Sequence, residues 1–311
     1  MTRHTGESVR GGANHARPSR GRRRSWTPTL VGHLIVTGLA VLTLSPVVPA
    51  EAAGPWHGQV LDAETRGPIE LALTLVLAMG AALVALEHWF PAHPIRPDVR
   101  WYVRALAINA VQVLVYLGVE HAWSRWGARA SLDLVGRRLP AVAGALLAYV
   151  IFTFVAYWWH RARHASPLLW RIVHQFHHSP TRIQTLTAYY IHPLDMIVVL
   201  TISHLILFPL LGLDLEAAAW YMVITGCAGF FIHANIRVPR AVGYVFQTPE
   251  MHRLHHKTGH HAHNYADLVW WDMLFGTYAN PRDPIDTCGF DEHTERQIVP
   301  LLAGVDLSRS R

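Results

Sequence analysis

Cysteine and charge are both scarce in this 311-residue chain. Only Cys227, in an apolar run, and Cys288, near the end, carry a thiol. They form no C-x-x-C pair and no disulfide framework, which removes iron–sulfur clusters, thiol redox chemistry and cysteine-based zinc knuckles. Charged residues make up 15% of the chain and hydrophobic ones 51%, with a mean hydropathy of +0.18. A soluble domain carries about a quarter charged residues, so the shortfall points to lipid as the solvent for part of the chain. Lysine is all but missing. Lys257 is the only one, and the net charge of +6 comes from arginines scattered through loops and the N-terminus. That pattern suits an anionic membrane surface and argues against nucleic acid as a partner.

Residues 1–28 are rich in Gly, Arg and Ser, end in "RGRRRSW" and "TP", and read as a disordered basic leader. Residues 29–53, an apolar run leading into "PAEAAG", read equally as a signal peptide or a first transmembrane helix. Runs at 69–90, 103–119 and 139–159 are long enough to span. Two shorter runs, 194–213 and 215–232, flank "GLDLE" and are expected to form a hairpin that enters the membrane and returns. The fold class is therefore all-α: an integral-membrane bundle of four to six spans. A basic N-terminus lies in the cytoplasm, and counting crossings brings residue 160, His233 and residues 252–256 back to that face. The expected histidine-rich segment is thus a cytoplasmic helical cap, although loop 122–138 puts four arginines on the outer side. Residues 69–280 are expected to form the membrane domain and 281–311 a solvated tail.

Histidine is what the chain has in abundance: 22 copies, with 14 between His160 and His263. His160 and His164 are four apart; His174, His177 and His178 are spaced i, i+3, i+4, and His252, His255 and His256 repeat that spacing. On helices each stretch would present its imidazoles in one direction, eight in all. Neutral imidazole is the commonest protein ligand for zinc, iron and copper. Four ligands close a structural zinc site, so eight imply two metals. Carboxylates are sparse here, unlike in soluble di-iron bundles built on glutamates. Such a nitrogen-rich set suits iron in redox work, though spacing names no metal. Histidines at a headgroup interface or in a core would account for one cluster but not for three. His233, in "FFIHANI", sits where the last apolar run ends and is expected as a ninth ligand, although a lone histidine there is more often a cap. His192 and His204 read as structural or second-layer residues, and His260, His261 and His263 as an exposed polar loop.

With these motifs the chain resembles the fatty acid hydroxylase/sterol desaturase superfamily of membrane di-metal oxygenases. The resemblance covers roughly residues 75–280 and rests on "YWWHRARH", "HQFHHSP", "HPLD", "FFIHANI", "FQTPEMHRLHH" and "HNYADLVWWDMLFGTY". It implies a di-iron centre on His160, His164, His174, His177, His178, His233, His252, His255 and His256, with O2 as co-substrate. Zinc could replace the iron in a purified or inactive form. Asn264 matches a recurrent family asparagine, and His192, His263 or Asn264 would supply further support or an extra ligand. Three positions depart from the pattern: Thr153 where many members have aspartate, Gly229 where some branches have histidine, and Ala266 where the family has glycine.

An unactivated C–H bond is beyond side-chain acids, bases and nucleophiles, so a cofactor must supply the chemistry. The expected activity is O2-dependent hydroxylation of a lipid within the membrane, be it fatty acyl, sterol-like or ether lipid. Desaturation at the same centre is the alternative within the enzyme class, and a non-catalytic membrane metal-binding protein the alternative outside it. Dense histidines outside the spans disfavour a transporter, which keeps its polar ligands near the bilayer midplane. No Rossmann-type glycine fingerprint or haem-binding domain is recognisable, so electrons are expected from a separate reductase, ferredoxin or cytochrome. Trp158, Trp159, Tyr189, Tyr190, Trp270 and Trp271 flank the motifs, as interfacial aromatics or as substrate contacts.

Overall fold

A computed structural model describes residues 63–127, 130–260 and 262–308. The expected leader 1–28 and the run 29–53 lie outside these residues. The described chain is helical, without a β-strand among its elements. Among the described residues, five helices are long and apolar enough to cross a membrane: α1 Ala63–Trp89 (apolar from Gly67), α2 Val99–Trp126, α3 Ala141–Ala165, α4 Pro193–Leu205 with a wider π turn Ile206–Leu210, and α5 Leu215–His233. Their starts are written locally. Asp98 accepts from the Arg100 and Trp101 amides at the head of α2, and Asp214 accepts from Ala217 N at 2.9 Å to start α5. His192 caps α4 through Nδ1, and Pro193 takes the first helical position, where a missing N–H costs nothing.

The pair α4–α5 was expected as a simple hairpin, but its arms pack on different partners. α4 lies chiefly on α2, whereas α5 is wedged between α1 and α3. Small residues permit the wedge: a Cβ on Gly226 would lie 2.9 Å from the Val76 side chain. Ala145, Ala148, Tyr149 and Phe152 of α3 form the main core with Phe208, Leu211 and Tyr221.

The two ends of the bundle differ in chemistry. At one end, Ser131 Oγ donates to Phe208 O at 2.9 Å and Leu132 N to Pro209 O at 2.7 Å, which ties connection 130–140 to connection 206–214. At the other end, one oxygen of the buried Glu87 accepts from Thr185 N, Thr185 Oγ and Asn235 N, joining α1 to the histidine segments. The foot of α1, the head of α2, the foot of α3, the head of α4 and the foot of α5 all meet there. That alternation is what five crossings require, and it puts every dense histidine motif at one end.

The histidine segment 160–178 is interrupted: α3 stops at Ala165, Ser166 and Pro167 break the chain, and a π turn Trp170–His174 precedes Gln175–His178. One expectation is corrected: residues 281–308 are not a solvated tail. Ile285, Cys288, Thr294, Glu295 and Leu301 are buried, Glu295 pairs with Arg104 of α2, and Gly289 N donates to His256 O at 3.0 Å. A few apolar anchors among polar residues give weak hydropathy, yet they strap the chain across the histidine end. The packed unit therefore extends past the expected boundary at 280.

Candidate metal centre

The nine expected imidazoles converge. Among the described residues, His160, His164, His174, His178 and His255 form one group and His177, His233, His252 and His256 a second. Within each, one nitrogen per ring lies within 4.8 Å of the others. Each i, i+3, i+4 trio is split between the groups and does not point one way. The geometry of a helix explains this. At 3.6 residues per turn, residue i+4 stands about 40° to one side of residue i, and i+3 about 60° to the other. His174 and His178 therefore serve the first group while His177 serves the second. In the short helix α6, Pro249–His255, and its cap residue, His252 and His256 serve the second while His255 reaches the first. The groups touch where His178 stacks on His256, ring centroids 4.2 Å apart.

The outward nitrogens are held. His160 Nδ1 donates to Tyr265 O at 2.8 Å, His255 Nδ1 to His263 O at 2.8 Å, His177 Nδ1 to Tyr190 O at 3.2 Å and His233 Nδ1 to Gly229 O at 2.8 Å. His252 Nδ1 faces Gln247 Oε1 at 3.0 Å. The orientation of that amide is set because Gln247 Nε2 donates to Asn264 O. With the proton on Nδ1, each Nε2 keeps its lone pair for a ligand, the usual arrangement behind metal-binding histidines. Burial, reinforced by neighbouring imidazoles, holds His174, His177, His178, His252 and His256 well below the ordinary histidine pKa, with Arg163 adding to the effect at His174 and His177. They are neutral near pH 7.

This donor set fits a metal ion. His233 Nε2 and His252 Nε2 face each other at 2.9 Å, although both rings already commit their proton at Nδ1. Two lone pairs at that distance call for a cation between them. His160 Nε2 is likewise buried, aimed into the first group and without a hydrogen-bond partner. Only neutral nitrogen is offered, which suits zinc, iron or copper and not magnesium or calcium.

A second layer fixes the first. Asp272, fully buried in "WDMLFGTY", accepts from Tyr265 N, Ala266 N and Thr277 Oγ, and so holds the loop whose carbonyl orients His160. Burial pushes its carboxyl up to about 6. Asp195, in "HPLD", pairs with the buried Arg163, accepts from Trp159 Nε1 at 2.9 Å and lies 3.7 Å from His174 Nδ1. Sequence reading gave no role to Asp272, Asp195 or Gln247; their signal was an acid or amide inside a quoted motif.

The other expected residues are placed as follows. His192, His263 and Asn264 lie outside both groups. His192 caps α4 and meets Leu302 O at 3.1 Å. His263 acts through its backbone carbonyl, its own φ being +68°, and pairs with His260 at 3.1 Å. Asn264 fastens the loop to Met251 O and Ala279. His204, buried, pairs with the partly exposed Glu120. At the three departures, Thr153 accepts from Trp271 Nε1 at 3.0 Å, a Cβ on Gly229 would meet open space, and Ala266 bonds Asp272 through its backbone.

Among the described residues, an all-helical bundle with membrane-length helices and two adjoining histidine groups, each of which could hold a metal ion, defines a multi-pass membrane protein. Residues 145–277, which contain all nine histidines, match the fatty acid hydroxylase family. The chain is 32% identical over 152 residues to an ornithine lipid hydroxylase of Rhizobium tropici, covering 48% of this chain and 45% of that protein. It is 31% identical over 179 residues to a Δ7-sterol-C5(6)-desaturase of Nicotiana tabacum, with 54% and 59% covered. A Danio rerio alkylglycerol monooxygenase is 30% identical over 135 residues, with 42% and 29% covered. The chain thus spans less than two thirds of the length of each of these relatives. No solved structure gives a significant match. These matches support placing residues 145–277 in the fatty acid hydroxylase/sterol desaturase superfamily.

Proposed function

We propose that this protein is an O2-dependent oxidoreductase that hydroxylates an unactivated C–H bond of a membrane lipid at a di-iron centre. The observation that carries the reading is the pairing of two touching groups of neutral imidazoles, joined by no carboxylate among the described residues. His160, His164, His174, His178 and His255 would hold one iron; His177, His233, His252 and His256 would hold the other. Bound iron would supply dioxygen activation and hydrogen-atom removal, which no side chain here can perform.

The chain's own residues prepare that chemistry. The Nδ1 bonds hold each ring in the ligating tautomer and orientation before metal arrives. Burial keeps the imidazoles neutral and excludes water from the reacting region. Because α3 and α5 deliver His160, His164 and His233 from the foot of their spans, a lipid could approach without leaving the membrane.

The names of the relatives support a lipid substrate, whether fatty acyl, sterol-like or ether lipid, and the sterol desaturase likeness favours one second reading, removal of two hydrogens at the same centre. The basic leader and the alternation of spans support a cytoplasmic site, and a separate reductase, ferredoxin or cytochrome would supply its electrons. Mass spectrometry of total lipids from a lipid-rich host expressing the native chain or His255→Ala tests the proposal. A lipid gaining one oxygen only with the native chain is expected. Loss of two hydrogens would instead establish desaturation, and identical extracts in a host supplying iron and reductases would contradict both.

A further inference from the structure

We propose that Tyr157 is a one-electron donor to the five-histidine group, wired to it through Tyr265 and to a proton acceptor, Asp272, through Thr277. The inference rests on the redox-active metal proposed above, and adds a function for residues outside the ligand set.

The aromatic chain is continuous. The Tyr265 ring touches three imidazoles of the first group, with centroids 5.4 Å from His160, 5.4 Å from His164 and 5.5 Å from His255. Tyr157, fully buried, lies 6.0 Å from Tyr265, edge to face. Trp158 follows at 5.3 Å and is 43% exposed, so the chain runs from the metal group to the protein surface. Each link except the imidazoles is a tyrosine or tryptophan, the side chains most easily oxidised by one electron. The other aromatic neighbour, Phe275, stacks on Tyr157 at 5.3 Å and offers no such step.

The proton path is equally defined. Arg161 Nη1 donates to the Tyr157 oxygen at 3.1 Å, so the phenolic hydrogen must point elsewhere, and Thr277 Oγ stands 3.0 Å away. The Thr277 hydroxyl is committed to Asp272 Oδ1 at 2.7 Å, because a carboxylate only accepts. The directions are therefore fixed: Tyr157 donates to Thr277, and Thr277 donates to Asp272. A core tyrosine that only fills space needs no relay ending on a buried carboxylate.

The step balances as follows. Iron held by the five-histidine group and oxidised by O2 would take one electron from Tyr157, by way of Tyr265, when no lipid C–H bond is in reach. The phenolic proton moves to Thr277 Oγ as the Thr277 proton moves to Asp272, which leaves a neutral tyrosyl radical and a protonated carboxyl. A one-electron reductant of the ascorbate or thiol class, acting through exposed Trp158, restores the phenol as the protons return. Unproductive oxidation is thereby led away from the histidine ligands.

The test uses the full-length, iron-loaded chain in detergent, reduced with dithionite, mixed with O2 without lipid and freeze-quenched for electron paramagnetic resonance. A radical whose hyperfine pattern narrows with ring-deuterated tyrosine is expected. It should be lost in Tyr157→Phe, which keeps the ring packing, and diminished in Thr277→Val. Peptide mass spectrometry of native protein cycled repeatedly with O2 gives a variant-free readout, with oxidation expected at Tyr157 or Trp158. A native sample that oxidises lipid yet gives no radical, or a radical that survives Tyr157→Phe, would overturn this proposal and leave the lipid oxidase standing. A chain that neither binds iron nor oxidises lipid would overturn both.

Discussion

The two histidine groups draw on the same short motifs but lean on different scaffolds. The five-histidine group is oriented from outside its own helices. Its Nδ1 acceptors are the carbonyls of Tyr265 and His263, on a loop held by Asp272, and His174 stands beside the Asp195–Arg163 pair. Two rings of the four-histidine group are held more locally, His233 by the carbonyl one turn back on α5 and His252 by Gln247 just before α6, while His177 bonds Tyr190 O. The ligands are thus interlocked, because every trio feeds both groups, while the supports are separable. Ligand substitutions should damage the centre as a whole, and support substitutions should tell the two positions apart.

The largest effect is expected from removing one ligand on either side. Both His255→Ala and His252→Ala should abolish lipid oxidation, and iron should fall from two per chain to about one, as read by metal analysis of purified protein. Next comes the scaffold of the five-histidine group. Asp195→Ala strands the buried Arg163 charge and should cost about 3–5 kcal/mol, the typical penalty for breaking a buried pair. Thermal unfolding in detergent checks this, and an unchanged midpoint would mean that the pair does not brace the site. On the other side, Gln247→Leu removes the acceptor that fixes the His252 tautomer. Iron affinity should drop about 10–100-fold, as for other outer-layer partners, with the loss confined to one of the two metals in a chelator titration. Smallest is His192→Ala, which deletes a helix cap worth about 1 kcal/mol and should leave iron content unchanged.

Much of this organisation is legible in the sequence, for reasons that also mark where legibility ends. Span-length apolar runs and histidines at i, i+3 and i+4 follow from local periodicity, and the five described spans and eight of the nine convergent imidazoles lie where that periodicity puts them, His233 being marked only by its place at the end of an apolar run. Which metal position a given histidine faces is set by the 100° between i+3 and i+4 and by the break at Ser166, so a trio reads as one ligand cluster when it is two half-clusters. The burial of Leu301 and Glu295 over the histidine end depends on contacts with α2 and with the second histidine motif, more than a hundred residues away. No local pattern reports that. Asp272 and Asp195 were hidden for a similar reason: an acid in the first turn of a helix looks like ordinary dipole compensation until its buried partners are seen.

The most direct test of the account is the metal content and X-ray absorption of the native full-length chain purified from iron-replete cells. Two irons per chain, each in a shell of nitrogen donors, are predicted, with both lost when His252 and His255 are replaced together. A single metal per chain, or two irons that persist in that double variant, would contradict the division of nine imidazoles into two metal positions.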